Sequence, residues 1–135
     1  MTYNETLDYL YTKLPMYQRI GKQAFKKDLT NIIALCNHLG NPQNEYDCIH
    51  IAGTNGKGTV THLMGSILME SGRSVGFYTS PHYQDFRERI KINGTYISEE
   101  SVVVFVDKIK DIVEVIEPSF FEITVAMAFW YFREM

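Results

Sequence analysis

The sequence predicts an α/β fold in which a mostly parallel sheet carries an anion-binding loop, and three observations lead there. The first is a strand-loop-helix-strand order: an apolar run at 48–51, the loop Gly53-Thr54-Asn55-Gly56-Lys57-Gly58-Thr59, an amphipathic helix, and a second strand over 74–79. The second is the loop itself, in which Gly53, Gly56 and Gly58 let backbone N–H groups face an anion at the start of a helix, whose dipole favours negative charge. The third is helical periodicity on both sides of this unit.

In chain order, residues 3–11 predict a short helix, and residues 13–22, with Pro15 and Gly21 and no period, predict a loop. From Phe25 the apolar positions Leu29, Ile32, Ile33, Cys36 and Leu39 recur at helical spacing, and Gly40-Asn41-Pro42 supplies the stop. His38 reads as a helix-end residue near the dipole rather than a ligand. After the glycine loop, Val60, Leu63, Met64, Ile67 and Leu68 form the stripe of a helix expected to pack on the sheet, closed by Gly72. A right-handed crossover returns the second strand parallel to the first, so Ser80 should land beside the loop, at the sheet edge where ligands of open α/β sheets gather. Ser80 before Pro81 is equally at home as a turn residue.

The stretch 81–89 is too polar and aromatic for a buried strand, and with His82, Tyr83, Arg87 and Arg89 it is suited either to clasp a planar anion or to face solvent. Asn93-Gly94 between Ile90-Lys91-Ile92 and Tyr96-Ile97 predicts a small hairpin. Ser98 caps a helix carrying Val102, Phe105, Val106, Ile109, Ile112, Val113 and Ile116, which Pro118 ends. The last helix opens Ser119-Phe120-Phe121-Glu122 and runs to Met135. Ser119-x-x-Glu122 is a capping-box pattern, so locally Glu122 needs no metal to explain it.

The 135 residues, 45% of them hydrophobic and 21% charged, suffice for one globular core, and one domain is expected. A net charge of -3 argues against a partner bound by phosphate neutralisation along a groove, so no nucleic acid is expected. Cys36 and Cys48 lack C-x-x-C spacing and read as reduced core thiols of a cytoplasmic protein. The longest apolar run, 123–132, is short of the roughly 20 residues of a membrane helix, so no membrane span is expected.

The loop departs from the usual G-x-x-x-x-G-K-[ST] pattern: only two residues separate Gly53 from Gly56, and Gly58 stands between Lys57 and Thr59. A lysine, a following hydroxyl and a strand on either side still favour phosphate over a plain Gly-rich turn.

Gly53 to Thr59, then Thr79-Ser80-Pro81-His82, then Arg89-Ile90-Lys91-Ile92-Asn93-Gly94, then Phe120-Phe121-Glu122 together resemble the N-terminal part of the folylpolyglutamate synthase and dihydrofolate synthase family, of the Mur-ligase superfamily. The resemblance covers nearly the whole chain. It implies an incomplete three-layer P-loop (Rossmann-like) nucleotide-binding domain over residues 1–135, without the C-terminal domain. The implied activity is ATP-dependent: the carboxyl of a folate or dihydropteroate is phosphorylated, and the acyl phosphate is captured by L-glutamate. Carried over, Gly53, Thr54, Asn55, Gly56, Lys57, Gly58 and Thr59 would hold ATP, with Lys57 neutralising the transferring phosphoryl group. Ser80 and Glu122 would ligate Mg²⁺. His82, Tyr83, Arg87 and Arg89, with part of 19–22, would lie on the pterin side.

Thr59 stands where serine is commoner in the family, and Tyr83 where leucine is frequent. The length implies a fragment with no turnover alone, from a parent expected to be a monomer. The fragment is expected to self-associate through an unpaired sheet edge and the apolar face of the last helix, Trp130 and Phe132 included. The alternatives are a fragment of a cell-wall Mur ligase, which Gly58 and Ser80-Pro81-His82 disfavour, a non-catalytic phosphate-binding module, or an ordinary P-loop kinase, which the shortened loop disfavours.

Overall fold

The computed structural model describes residues 1–14 and 28–135. The start of the second helix at Phe25, most of the predicted 13–22 loop and the 19–22 stretch lie outside the described residues. The chain divides into two compact units, residues 1–45 with 98–135, and residues 46–97.

The first unit is helical. Thr2 caps α1 (Tyr3–Lys13) through a capping box with Glu5: Glu5 N–H donates to the Thr2 hydroxyl at 3.2 Å, and the Thr2 N–H donates to the Glu5 carboxylate at 2.7 Å. Helix α2 (Thr30–His38) ends at Leu39, and Asn41 takes the left-handed conformation before Pro42. It buries Leu35 and Cys36, while Leu29 and Ile33 of the anticipated stripe are exposed.

Helix α4 (Glu99–Ile116) starts where Ser98 accepts from the Ser101 N–H, and it buries Val102, Phe105, Val106, Ile109 and Val113. Helix α5 (Phe120–Glu134) supplies most of the remaining core, including Ile123, Met127 and Trp130. Trp130 packs on Phe105 with ring centroids 5.4 Å apart. The expectation that Trp130 stands on an exposed face is therefore corrected: α4 already covers it. Arg133 staples the far end, donating to the Leu39 carbonyl at 2.8 Å.

The second unit holds helix α3 (Lys57–Glu70) and a three-stranded sheet in the order β1 (Gly76–Tyr78), β2 (Ile90–Ile92), β3 (Thr95–Tyr96). All pairings are antiparallel, with Phe77 opposite Lys91 and Ile92 opposite Thr95. Asn93 and Gly94 turn the predicted hairpin with φ of 50° and 82°. A mostly parallel sheet is not found among the described residues. Residues 48–51 form no strand and pair with none, although β1 lies at the edge of the sheet and pairs only with β2, and Ile49 and Cys48 are exposed. Cys48 is thus no core thiol.

Helix α3 likewise turns an unexpected side inward. Its buried residue is Gly65, and an added Cβ there would lie 2.0 Å from the Phe77 ring. The glycine lets the helix sit directly on the sheet, with His62 stacked on the same ring at 5.9 Å. The apolar stripe Val60, Leu63, Met64 and Ile67 faces solvent, Ile67 at 69% exposure.

Candidate functional site

The loop that precedes α3 is built for an anion. Gly56 is the N-cap residue at φ 75°, a left-handed conformation that a side chain would strain, and no side chain caps the helix behind it. The first amides of α3 therefore have no side-chain acceptor, and the helix dipole places partial positive charge among them. A Cβ at Gly56 or Gly58 would meet nothing within 4 Å, so the loop surface is open. Lys57 reaches back along its own loop, its Nζ donating to the Gly53 carbonyl at 2.6 Å. The ammonium thus sits over the glycine loop and need only exchange one carbonyl acceptor for an anion.

A groove of about 380 Å³ runs beside this loop, lined by Gly58, His62, Thr79, Ser80, Pro81, Tyr83, Glu88 and Lys91. Ser80 and Gly58 thus share a wall, as the crossover argument required, although the parallel ladder behind that argument is missing. The Ser80-Pro81 peptide is cis. Both Lys57 and Ser80 are exposed.

The loop after Ser80 is closed on itself. At its base the Thr79 N–H donates to the Arg89 carbonyl at 3.0 Å. Asp85 accepts from the Arg87 N–H at 2.9 Å and from its guanidinium at 2.8 Å, which holds the Asp85 carboxyl below its usual range. Arg89 is only 4% exposed and its Nε donates to His82 Nδ1 at 2.7 Å. His82 accepts there as a neutral ring, and burial, then the Arg89 charge, push its pKa down. Of the four residues assigned to the pterin side, His82, Arg87 and Arg89 are thus spent on bonds within the loop. Tyr83 alone presents an open side chain to the groove, at 91% exposure.

Glu122 lies in the other unit, at the start of α5. Its N–H donates to the Ser119 hydroxyl at 3.1 Å, and that hydroxyl donates back to its carboxylate at 3.0 Å. The carboxylate therefore takes the cap's hydroxyl instead of the backbone N–H that a full capping box would give it. Among the described residues no three His, Cys, Asp or Glu side chains converge on a point that suits a metal ion. Sequence reasoning missed His62, Lys91 and Glu88 as groove residues. Spacing on α3 and the strand alternation of 90–92 held signals for the first two, whereas Glu88 was hidden within a charge run.

No family model matches the chain. Single proteins do. A folylpolyglutamate synthase from Thermotoga maritima superposes with a TM-score of 0.84 and 46% identity, over 98% of this chain and 30% of that one. The Lactobacillus casei folylpolyglutamate synthetase gives 0.86 at 34% identity, over 99% and 34%. The chain belongs to the folylpolyglutamate synthase/dihydrofolate synthase family. Among curated relatives, the Bacillus subtilis dihydrofolate synthase/folylpolyglutamate synthase is 40% identical over 84% of this chain and 28% of its own length. The chain thus spans about a third or less of the relatives it matches. One matching structure is an FPGS-AMPPCP-folate complex, and another is a Mycobacterium tuberculosis folylpolyglutamate synthase complexed with ADP.

Proposed function

We propose that this chain carries the phosphate-binding part of a ligase that uses ATP to join L-glutamate to the carboxyl of a folate or dihydropteroate through an acyl phosphate. The single observation behind this reading is the uncapped N-terminus of α3, opened by left-handed Gly56 and overlaid by Lys57, beside a groove that begins at Ser80. The residues 53–59 would cradle the nucleotide's phosphates with backbone N–H groups. Lys57 would leave the Gly53 carbonyl for the transferring phosphoryl group, where phosphoryl transfer needs positioning and charge neutralisation more than covalent help from the protein.

Ser80 and Glu122 offer an alcohol and a carboxylate, hard oxygen donors of the kind Mg²⁺ takes with phosphate oxygens. Each would serve as a donor to such an ion, whose charge would offset that of the phosphates. The exposed Tyr83 ring would take the flat face of the pterin or aminobenzoyl group. By itself the 135-residue chain is proposed to bind nucleotide without turning it over, since two thirds of the relatives' length has no counterpart here.

Calorimetric titration with AMPPCP and Mg²⁺ tests the reading. Binding by the wild-type chain is expected to weaken roughly 10- to 150-fold in Lys57→Ala, the size of one hydrogen bond to a charged group, about 1.5–3 kcal/mol. Wild-type binding that Lys57→Ala leaves unchanged overturns it. ADP release that depends on a folate and glutamate would overturn the proposed inactivity of the isolated chain.

A further inference from the structure

Glu88 makes an arrangement that the proposed chemistry has not used. Its carboxylate accepts three consecutive backbone N–H groups: Tyr83 at 3.1 Å, Gln84 at 2.9 Å and Asp85 at 2.6 Å. Without it these amides would have only water, and the five residues between Ser80 and Phe86 would lose their inner anchor. Its own backbone is fixed from the other side, because its N–H donates to the Asp85 carbonyl at 2.9 Å and its carbonyl accepts from the Thr79 hydroxyl at 3.4 Å. Glu88 and Tyr83 both line the groove, so the residue that ties the loop also borders the space the loop shapes. Tyr83 has a nearly fully exposed ring on an anchored backbone, which is the arrangement that presents a flat apolar surface without the entropy of a free loop.

We infer that Glu88 is a positioning residue: by gathering the amides of residues 83–85 onto one carboxylate it holds the Tyr83 ring at the mouth of the groove for a planar aromatic acid. The inference rests on the proposed function for the identity of that acid, and its logic is preorganisation. A loop already in its bound shape binds without an ordering cost, and one released by Glu88→Ala must be ordered at the moment of binding. Glutamine supplies one carbonyl oxygen and an NH₂ that donates where an acceptor is needed, so Glu88→Gln should rescue only part of the order.

The experiment uses the 135-residue chain, with pteroic acid as the aromatic probe and AMPPCP with Mg²⁺ as the nucleotide. Amide hydrogen exchange at Tyr83, Gln84 and Asp85 should quicken at least about tenfold in Glu88→Ala and less in Glu88→Gln, while amides of α4 keep their rates. Pteroic acid affinity should fall about fivefold or more in Glu88→Ala and in Tyr83→Ala. The double variant should lose no more than either single one, because Glu88 acts through the ring that Tyr83→Ala has removed. A merely structural role would speed exchange throughout the fold, the amides of α4 included, and would give additive losses. Unchanged exchange at the three amides, or additive losses, overturns the inference. So does wild-type chain that binds nucleotide but not pteroic acid. Wild-type chain that fails to bind nucleotide overturns the proposed function instead.

Discussion

The two units of this chain are stabilised by different means. The helical unit buries Leu10, Phe105, Ile109, Ile123 and Met127 completely and closes its helices with side-chain caps at Thr2, Ser98 and Ser119. The glycine-loop unit buries little: Phe77, Phe86, Ile90 and Ile97, with α3 resting on the sheet through a glycine and a histidine. Its order comes from hydrogen bonds within the loop 79–89 and from left-handed turns at Gly56, Gly72 and Asn93-Gly94. The difference teaches that the part expected to meet nucleotide is organised by backbone polar groups, which leaves donors such as the first amides of α3 open to a ligand.

Truncation in the helical core should have the largest effect. Phe105→Ala removes a fully buried ring that packs on Trp130 and is expected to cost about 3–5 kcal/mol in denaturant unfolding. A loss below about 1 kcal/mol would mean the core is looser than its burial implies. Next in size, Gly65→Ala puts a methyl into the Phe77 ring, and overpacking of about 1–3 kcal/mol should exceed the gain of roughly 1 kcal/mol that alanine brings to a helix. A variant more stable than wild type would show that Phe77 yields at no cost.

A smaller effect follows from the exposed stripe of α3. Ile67→Lys should change stability by less than about 0.5 kcal/mol, since Ile67 already faces solvent. If the chain associates through that stripe, light scattering at high concentration should show the lysine variant more monomeric than wild type. The smallest change is local and concerns acid. The hydrogen bonds from the Asp85, Tyr83 and Gln84 N–H groups hold the Glu88 carboxyl below its usual pKa. A carboxyl depressed on folding contributes order that is complete above its ordinary pKa and lost as pH falls through the folded value. Amide shifts of residues 83–85 should therefore stay constant from neutral pH down through the ordinary glutamate range and move only in stronger acid. Movement that begins above the ordinary glutamate range would place their order elsewhere, on the bond that His82 accepts from Arg89.

Periodicity and turn chemistry made five helices and the hairpin legible, because those depend on neighbours three, four or two residues apart. The Asn93-Gly94 reversal, the Ser98 cap and the Ser119 cap were all visible for that reason. The buried side of each helix was less legible. In α2 and α3 the apolar stripe marked a face that could be buried, and what each face meets depends on distant chain. Residues 48–51 have strand composition, yet a strand exists only where a second backbone lies alongside, and none lies alongside them among the described residues. At the site, Gly56, Lys57 and Ser80 were readable from spacing, while the inward turn of His82, Arg87 and Arg89 was not. Charged residues in a run look alike until one knows which of them face each other.

The sequence by itself determined the glycine loop, its lysine and the helix that opens behind them, because left-handed backbone and helix initiation are decided within a few residues. Only the tertiary structure decided that Gly65 and not the apolar stripe would press on Phe77, that Trp130 would be covered, and that Glu88 would gather three amides of its own loop. Each of those outcomes depends on which surfaces meet, and surfaces meet through the path of the whole chain, which no local pattern encodes.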